Sequence, residues 1–228
     1  KGAVCEYYIP NRLREGYGLS RAAMGQLYEQ GTRLLVTVDS GITADEEIAA
    51  ARELGMQVVI TDHHECHDTL PEAEAVVDCM RPDCTYPFDS LAGVGVAFKL
   101  ICALEGDADA VLDRYADLIA LGTVADVMPI VGENRIIVAE GLKKMAETSN
   151  IGLEMLLREA GMKHKRLTSS TISFVLAPRI NAAGRMGQAE LAAELFLTHD
   201  PVRAQELAAR LCEQNKHRQH EENEILTQ

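Results

Sequence analysis

Two short apolar runs joined by a helical segment constrain the fold more than any other part of the sequence. Residues 33–38 and 57–61 are rich in β-branched side chains and suit buried parallel strands. Residues 44–54, between them, have a helical composition, with Thr43 expected to cap the helix and Gly55 to end it. Such a strand–helix–strand unit takes a right-handed crossover. The sequence therefore predicts an α/β fold built on a parallel sheet with flanking helices.

Polar side chains follow both of these strands. Asp39 comes directly after the first strand, and Asp62, His63 and His64 end the second. Because ligands bind at the carboxyl edge of an open parallel sheet, we expect these residues to converge. Carboxylate and imidazole ligands suit Mn²⁺ or Mg²⁺ and can also hold Zn²⁺, and a site built mostly of Asp favours manganese and phosphate chemistry. The alternative is that the histidines are ordinary loop residues and that Asp62 only caps a turn.

The rest of the chain alternates short apolar runs with helical segments. Residues 4–9 and 75–77 are predicted to be strands, the first running into a glycine-rich loop. Ser20 is expected to cap a helix over residues 21–30. Further helices are expected over 93–105, 108–123, two pieces of 135–160, and from Asp200-Pro201 to the end of the chain.

Composition limits the function classes. The chain of 228 residues suits one domain, or one and a half, and no apolar run approaches the ~20 residues that a membrane helix needs. Its 22 basic and 35 acidic residues give a net charge of −13, which argues against coating nucleic acid by bulk charge but agrees with a carboxylate-rich metal site. The six cysteines form no CxxC pair, so free thiols in a reducing cytoplasm are expected.

Three motifs, in order, resemble those of the DHH phosphoesterases. They are Val38-Asp39-Ser40-Gly41-Ile42, Thr61-Asp62-His63-His64 and Leu121-Gly122-Thr123-Val124-Ala125-Asp126. Further stretches resemble the branch of this family formed by the single-strand-specific 5′→3′ DNA exonucleases. These stretches are Tyr8 to Arg12 with Glu15 to Gly18, Leu91 to Ala97, Glu133-Asn134-Arg135 and Pro178 to Arg185.

The resemblance implies a role for each motif residue. Asp39 would bridge two Mn²⁺ or Mg²⁺ ions, and His63 and Asp126 would be ligands to one of them. His64 would face the scissile phosphate, and Asp62 would orient the histidine pair. Ser40 replaces an Asn that is usual in the family, a change that should not remove a ligand. The residues implied to hold DNA phosphates are Arg12, Arg179, Asn181 and Arg185, for which surface solvation is the alternative.

The resemblance also implies a domain organisation. Residues 1–199 would be a phosphoesterase core without the family's Asp-rich first motif, and residues 200–228 would be a connecting helix toward a C-terminal domain. We therefore expect this chain alone to bind the second metal weakly at best and to have little or no nuclease activity. The implied partners are single-stranded DNA and, for the intact enzyme, a helicase and a single-strand-binding protein, with no membrane association.

Two other functions stay open. One is another DHH phosphoesterase acting on short oligonucleotides, cyclic dinucleotides or pyrophosphate, which the Arg12 loop and the 178–185 stretch argue against. The other is an interaction module that keeps the fold without the chemistry. The presence of Asp39, His63 and Asp126 argues against that module.

Overall fold

The computed structural model describes residues 2–11, 15–16 and 18–226. Over those ranges the chain forms three strands and ten α-helices, with one π-helical turn. The strands are β1 (Leu34–Val38), β2 (Gln57–Asp62) and β3 (Ala75–Asp78). The helices are α1 (Arg21–Glu29), α2 (Asp45–Glu53), α3 (Gly93–Glu105), α4 (Ala108–Ala125), α5 (Gly132–Ala146), α6 (Ile151–Glu159), α7 (Ser169–Thr171), the π-turn (Ile172–Leu176), α8 (Ala177–Arg185), α9 (Ala189–Leu197) and α10 (Pro201–Leu226).

The three strands form a parallel sheet in the order β1-β2-β3, as the sequence predicts. Val38 at the end of β1 lies opposite Thr61 in β2, and Asp62 lies opposite Asp78 at the end of β3. Because all three strands run in one direction, their carboxyl ends meet at one edge of the sheet. This register fixes the position of every polar side chain that follows the strands.

Helices α1 and α2 cover one face of the sheet. Met24 and Ile48 from these helices are buried together with Val58 and Ile60 of β2. The predicted cap of α1 is confirmed, because the Ser20 side chain accepts the N–H of Ala23 at 3.2 Å. Apolar burial of this kind contributes about 1.5–3 kcal/mol for each large side chain.

Two local predictions are wrong. Helix α2 begins after Ala44, with no side-chain cap from Thr43, and its first turn instead carries three acidic residues that complement the positive end of the helix. Residues 4–9 are not a strand, since the segment 2–11 has no regular secondary structure. A strand forms only where a neighbouring strand accepts its hydrogen bonds, and no described strand pairs with this segment, whose Val4 is 98% exposed.

The remaining helices form a second apolar cluster around α4. Leu121 and Val124 of α4 pack in one cluster with Leu153 of α6 and Leu176 of the π-turn. The N-terminal half of α10 closes this cluster from outside through its buried residues Ala204, Leu207, Ala208 and Leu211. Helix α4 therefore has a fixed position, and its C-terminal residue points toward the sheet edge described above.

No helix within the described ranges is both long enough and apolar enough to cross a membrane.

Candidate metal centre

Asp39 holds an unusual backbone conformation at the end of β1. Its φ is +59°, in the left-handed region, which Asp tolerates better than most residues other than glycine. The Asp39 N–H donates to the Thr61 carbonyl at 3.0 Å, which ties this turn to β2. The first residue of α3, Gly93, is so close that a Cβ on it would lie 2.4 Å from Asp39 Oδ1. The start of α3 therefore lies directly against one side of this carboxylate.

Asp62 is a buried carboxylate that organises the end of β2. It accepts the Ile42 N–H at 3.0 Å and the His63 N–H at 2.8 Å, and its Oδ1 lies 2.7 Å from His64 Nδ1. Burial alone would raise the pKa of Asp62, but these hydrogen bonds outweigh it and lower the pKa. A charged Asp62 thus orients the backbone and the side chain that follow it.

His63 meets the two carboxylates that the motifs place in separate parts of the sequence. Its Nε2 lies 2.9 Å from Asp39 Oδ1 and 3.4 Å from Asp126 Oδ2. This nitrogen is buried, yet it has no hydrogen-bond partner of acceptable geometry among the described residues. Adjacent ligand atoms about 2.1 Å from one octahedral cation are about 3 Å apart, so each of these two separations fits a pair of ligands of one ion. The donor set of two carboxylates and one imidazole suits Mn²⁺ or Mg²⁺.

Asp126 reaches the centre from the C-terminus of α4. The next residue, Val127, is 87% exposed and has a φ of +60°, which is strained for a β-branched side chain. Burial raises the pKa of Asp126, while Asp39 raises the pKa of His63. In the described part of the chain no Lys or Arg pairs with either carboxylate. His63 is thus the cationic partner of both carboxylates, and a bound divalent cation would supply positive charge in its place.

His64 lies at the open side of this cluster. Potential ligand atoms of Asp39, His63 and His64 are all within 4.8 Å of one another, and the two imidazole rings are 4.5 Å apart between centroids. The His64 side chain is 57% exposed, and its Nδ1 is held by Asp62. Its other ring nitrogen thus stays available to a ligand of the centre.

Three of the predicted phosphate-binding residues, Arg179, Asn181 and Arg185, lie on α8. Arg12 lies outside the described residues, but Asn11 Nδ2 donates to the Gly187 carbonyl at 3.1 Å, which brings the N-terminal segment to the end of α8. Asn181 and Arg185 are exposed on α8. Arg179, in contrast, is half-buried, and its guanidinium donates to the Val175 carbonyl at 2.5 Å.

Two residues beside the centre had no role assigned from the sequence. Asn134 is fully buried, and its amide donates to the carbonyls of Ser90 at 2.6 Å and of Pro129 at 3.0 Å. It joins the loop before α3 to the loop after Asp126. Its place in the Glu133-Asn134-Arg135 stretch was the only signal in the sequence.

Asp78 is the second of these residues, and it ends β3 opposite Asp62. Burial first, and then the charge of Asp62, raise its pKa, although it accepts the N–H of Met80 at 2.7 Å. Its Oδ2 has no partner among the described residues. The rule that selected Asp39 and Asp62, a polar residue at the end of a parallel strand, also selects Asp78.

Comparison with known proteins agrees with this geometry. The family model described as "DHH family, N-terminal domain" matches residues 1–123. The single-stranded-DNA-specific exonuclease RecJ of Bacillus subtilis (strain 168) is 45% identical over 217 residues, which are 95% of this chain and 27% of that protein. RecJ of Escherichia coli (strain K12) is 40% identical over 226 residues, 93% of this chain and 39% of that protein.

Comparison with solved structures also finds RecJ exonucleases. A crystal structure of exonuclease RecJ bound to manganese superposes with a TM-score of 0.86 at 39% identity, covering 96% of this chain and 56% of that one. RecJ of Thermus thermophilus in complex with Mn²⁺ gives a TM-score of 0.79 at 36% identity, covering 91% of this chain and 31% of that one. The chain thus spans only part of the length of these relatives. Because the family model matches more than half of the chain, and the motif residues meet at one sheet edge, the chain belongs to the DHH family.

Proposed function

We propose that this chain is the catalytic core of a metal-dependent phosphodiesterase that degrades single-stranded DNA from its 5′ end. The observation that carries the proposal is the approach of the buried His63 Nε2 to both Asp39 and Asp126, at 2.9 Å and 3.4 Å. The relatives of highest identity described above are named single-stranded-DNA-specific exonucleases, which supports the substrate class.

In this proposal Asp39, His63 and Asp126 hold a Mn²⁺ or Mg²⁺ ion. A divalent cation bound there supplies Lewis acidity toward a phosphoryl oxygen and lowers the pKa of a bound water. The Asp39 side chain is 55% exposed, so a second carboxylate oxygen is available for the bridging role that the resemblance implies. Asp62 orients His64, because its carboxylate accepts Nδ1–H and leaves Nε2 to contact the scissile phosphate.

The DNA itself would be held by the residues around α8. Asn181 and Arg185 are exposed there, and Arg12 follows the segment that Asn11 attaches to the end of α8. A guanidinium group matches the geometry of a phosphate, which supports the role of Arg185 and Arg12. We include Arg179 in this set, with its bond to the Val175 carbonyl holding the helix that carries the others.

The wider setting is also part of the proposal. Residues 1–199 would form the phosphoesterase core, and residues 200–228 a connecting helix, which agrees with the start of α10 at Pro201. The six free cysteines agree with a reducing cytoplasm. A helicase and a single-strand-binding protein are proposed as partners from the family resemblance alone.

Manganese binding is the first test, because the sequence predicts weak hydrolysis by this chain alone. Titration of Mn²⁺ into the purified chain, followed by the electron paramagnetic resonance signal of the free ion, should show binding that Asp39→Asn weakens at least ~10-fold. Absence of binding would favour an interaction module without chemistry.

Substrate choice is the second test. With Mn²⁺ present, hydrolysis by this chain alone should be slow, and it should shorten a 5′-phosphorylated single strand from the 5′ end in preference to the matched duplex, a cyclic dinucleotide or pyrophosphate. Asp39→Asn should slow the reaction at least ~100-fold. Preferential hydrolysis of a dinucleotide or of pyrophosphate would contradict the proposed substrate.

A further inference from the structure

Phe174 presents an aromatic ring to solvent. Its side chain is 78% exposed, whereas Phe98 is 6% exposed in the core. Single exposed apolar residues are common in folded proteins, so exposure alone does not indicate a function. What distinguishes Phe174 is the backbone that carries it and the side chains that share its face.

The backbone around Phe174 is a π-turn with a clear physical cause. Pro178 has no N–H to donate to the carbonyl four residues before it, which is that of Phe174, and its ring crowds that carbonyl. The turn widens, so the Ala177 N–H bonds to the Ile172 carbonyl five residues back. The Arg179 guanidinium donates a hydrogen bond to the Val175 carbonyl at 2.5 Å. Turns of this kind are rare and occur frequently at functional sites.

Buried neighbours fix the direction of the Phe174 ring. Ile172 and Leu176, at either end of the π-turn, have no exposed surface and pack in one cluster with Leu121 and Val124 of α4. Helix α4 ends at the candidate metal ligand Asp126. Because both ends of the turn are anchored on this helix, Phe174 cannot rotate inward without removing one of them from the core.

Three further residues share the face of Phe174. Pro178, Asn181 and Arg185 follow it at intervals of four, three and four residues, which is the spacing of one helix face. Asn181 and Arg185 are exposed, and neither makes a side-chain hydrogen bond or ion pair within the described ranges. At ~1.5 Å per residue, the face extends for about 16 Å. It offers a flat ring at one end and a free guanidinium at the other.

We propose that Phe174 is a stacking platform for a base of single-stranded DNA, with Asn181 and Arg185 holding the adjacent backbone. The inference rests on the proposed function and adds a base contact to it. Aromatic rings bind single strands by stacking, which tolerates any sequence, while cationic and amide groups on the same surface hold phosphates. A polypeptide surface that only needed apolar contact would gain nothing from an exposed Arg185 on the same face as the ring, so the mixed face favours a nucleic acid.

The test measures DNA affinity without hydrolysis. A 3′-fluorescein-labelled 12-nucleotide oligothymidylate is titrated with the full chain in metal-free buffer, and binding is followed by fluorescence anisotropy. Phe174→Ala should weaken binding about fivefold to hundredfold, which is the loss expected for one stacked base, and Phe174→Tyr should restore it. The matched control is Leu197→Ala, because Leu197 is also exposed (58%) on a helix and should leave the affinity unchanged.

A second arm locates the stacked base. Single abasic sites are moved along the oligonucleotide, and one position should weaken binding to the wild-type chain as much as Phe174→Ala does. At that position the abasic site should not weaken the affinity of the Phe174→Ala variant any further, because both changes remove the same contact. Thermal unfolding of each variant checks that the fold is retained.

The outcomes separate the two proposals. Binding of the oligonucleotide with equal affinity by the wild type and by Phe174→Ala would overturn the stacking role and leave the proposed function intact. Failure of the wild-type chain to bind any single strand would instead contradict the proposed function.

Discussion

The glycine at the start of α3 is the most direct test of the centre's geometry. In Gly93→Ala the new Cβ would lie 2.4 Å from Asp39 Oδ1 and 2.5 Å from its Cβ. Ordinary contacts between such atoms are about 3.5 Å, so the groups must separate by about 1 Å. Leu91 and Ala92 are buried and hold the start of α3 in place. The exposed Asp39 side chain, including its Cβ, is therefore the group that moves.

The expected effect on metal binding exceeds the effect on stability. Overpacking costs about 1–3 kcal/mol, but replacing a helical glycine by alanine returns about 1 kcal/mol, so the unfolding free energy should fall by only about 1 kcal/mol. Displacing the proposed metal ligand Asp39 by about 1 Å should weaken Mn²⁺ binding by about 10- to 100-fold.

The assay compares two neighbouring glycines. Mn²⁺ binding is measured by electron paramagnetic resonance, and unfolding by urea, for Gly93→Ala and for Gly95→Ala. The Cβ of the second variant meets the flexible side chain of Leu91 at 3.2 Å rather than a ligand, so it controls for general disturbance of α3. Equal Mn²⁺ affinity in Gly93→Ala and the wild type, or an equal loss in both variants, would refute the reasoning.

A readout without metal is available from His63. The Asp39 carboxylate raises the pKa of His63, an effect that outweighs the lowering by burial. If Gly93→Ala pushes this carboxylate away, the pKa of His63 should fall toward its ordinary value of about 6.5. A nuclear magnetic resonance titration of the ring protons measures this change. An unchanged pKa of His63 would show that the substitution does not displace the Asp39 carboxylate.

Substitutions at four further positions test the framework of the centre and the helix packing. Asp62→Ala should lower the unfolding free energy in urea by about 3 kcal/mol, because two buried N–H groups and a histidine lose their acceptor. The pKa of Asp62 is lowered in the folded chain, so the stability from its charge is present above about pH 4 and is lost as the pH falls through the folded value. As the pH falls from about 5 to about 3, the unfolding free energy measured in urea should therefore decrease more for the wild type than for Asp62→Asn. Asn134→Ala should cost about 2 kcal/mol in urea, since two carbonyls become unpaired. Val127→Gly should raise the unfolding free energy by about 1 kcal/mol, seen as a higher Tm, because it removes left-handed strain from an exposed residue. Gly152→Ala, whose Cβ would lie 1.8 Å from the Leu195 carbonyl oxygen, should lower the Tm sharply.

The sheet was predictable because its signal is local and repeated. The apolar runs that became β1 and β2 are bounded by polar residues, and a parallel pairing puts their carboxyl ends together whatever the details of packing. Capping of α2 by Thr43 and the strand over residues 4–9 were not predictable, because each depends on a partner that propensity does not report. The cap of α1 at Ser20 succeeded because its partner lies three residues away.

The site divides in the same way. Asp39, Asp62 and His63 follow strands, so topology alone brings them together. The contact of Gly93 with Asp39 joins residues 54 positions apart, and Asn134 joins two loops by its side chain. Neither contact has a sequence pattern, because each is set by how α3 and α5 pack. For Arg179 the sequence motif predicts only a phosphate-binding role. The structure shows in addition that its guanidinium donates to the Val175 carbonyl and so stabilises the helix that carries it.

The left-handed backbone at Asp39 limits which amino acids can replace it during evolution. At a φ of +59°, Gly, Asn and Asp are accommodated with little strain. Glu would add backbone strain at this φ, whether or not its carboxylate could bind the metal. A lineage that lost the metal would therefore be expected to drift first to Asn or Gly at this position. In a saturation library, selection for folding should keep Asp, Asn and Gly, while selection for catalysis should keep Asp alone.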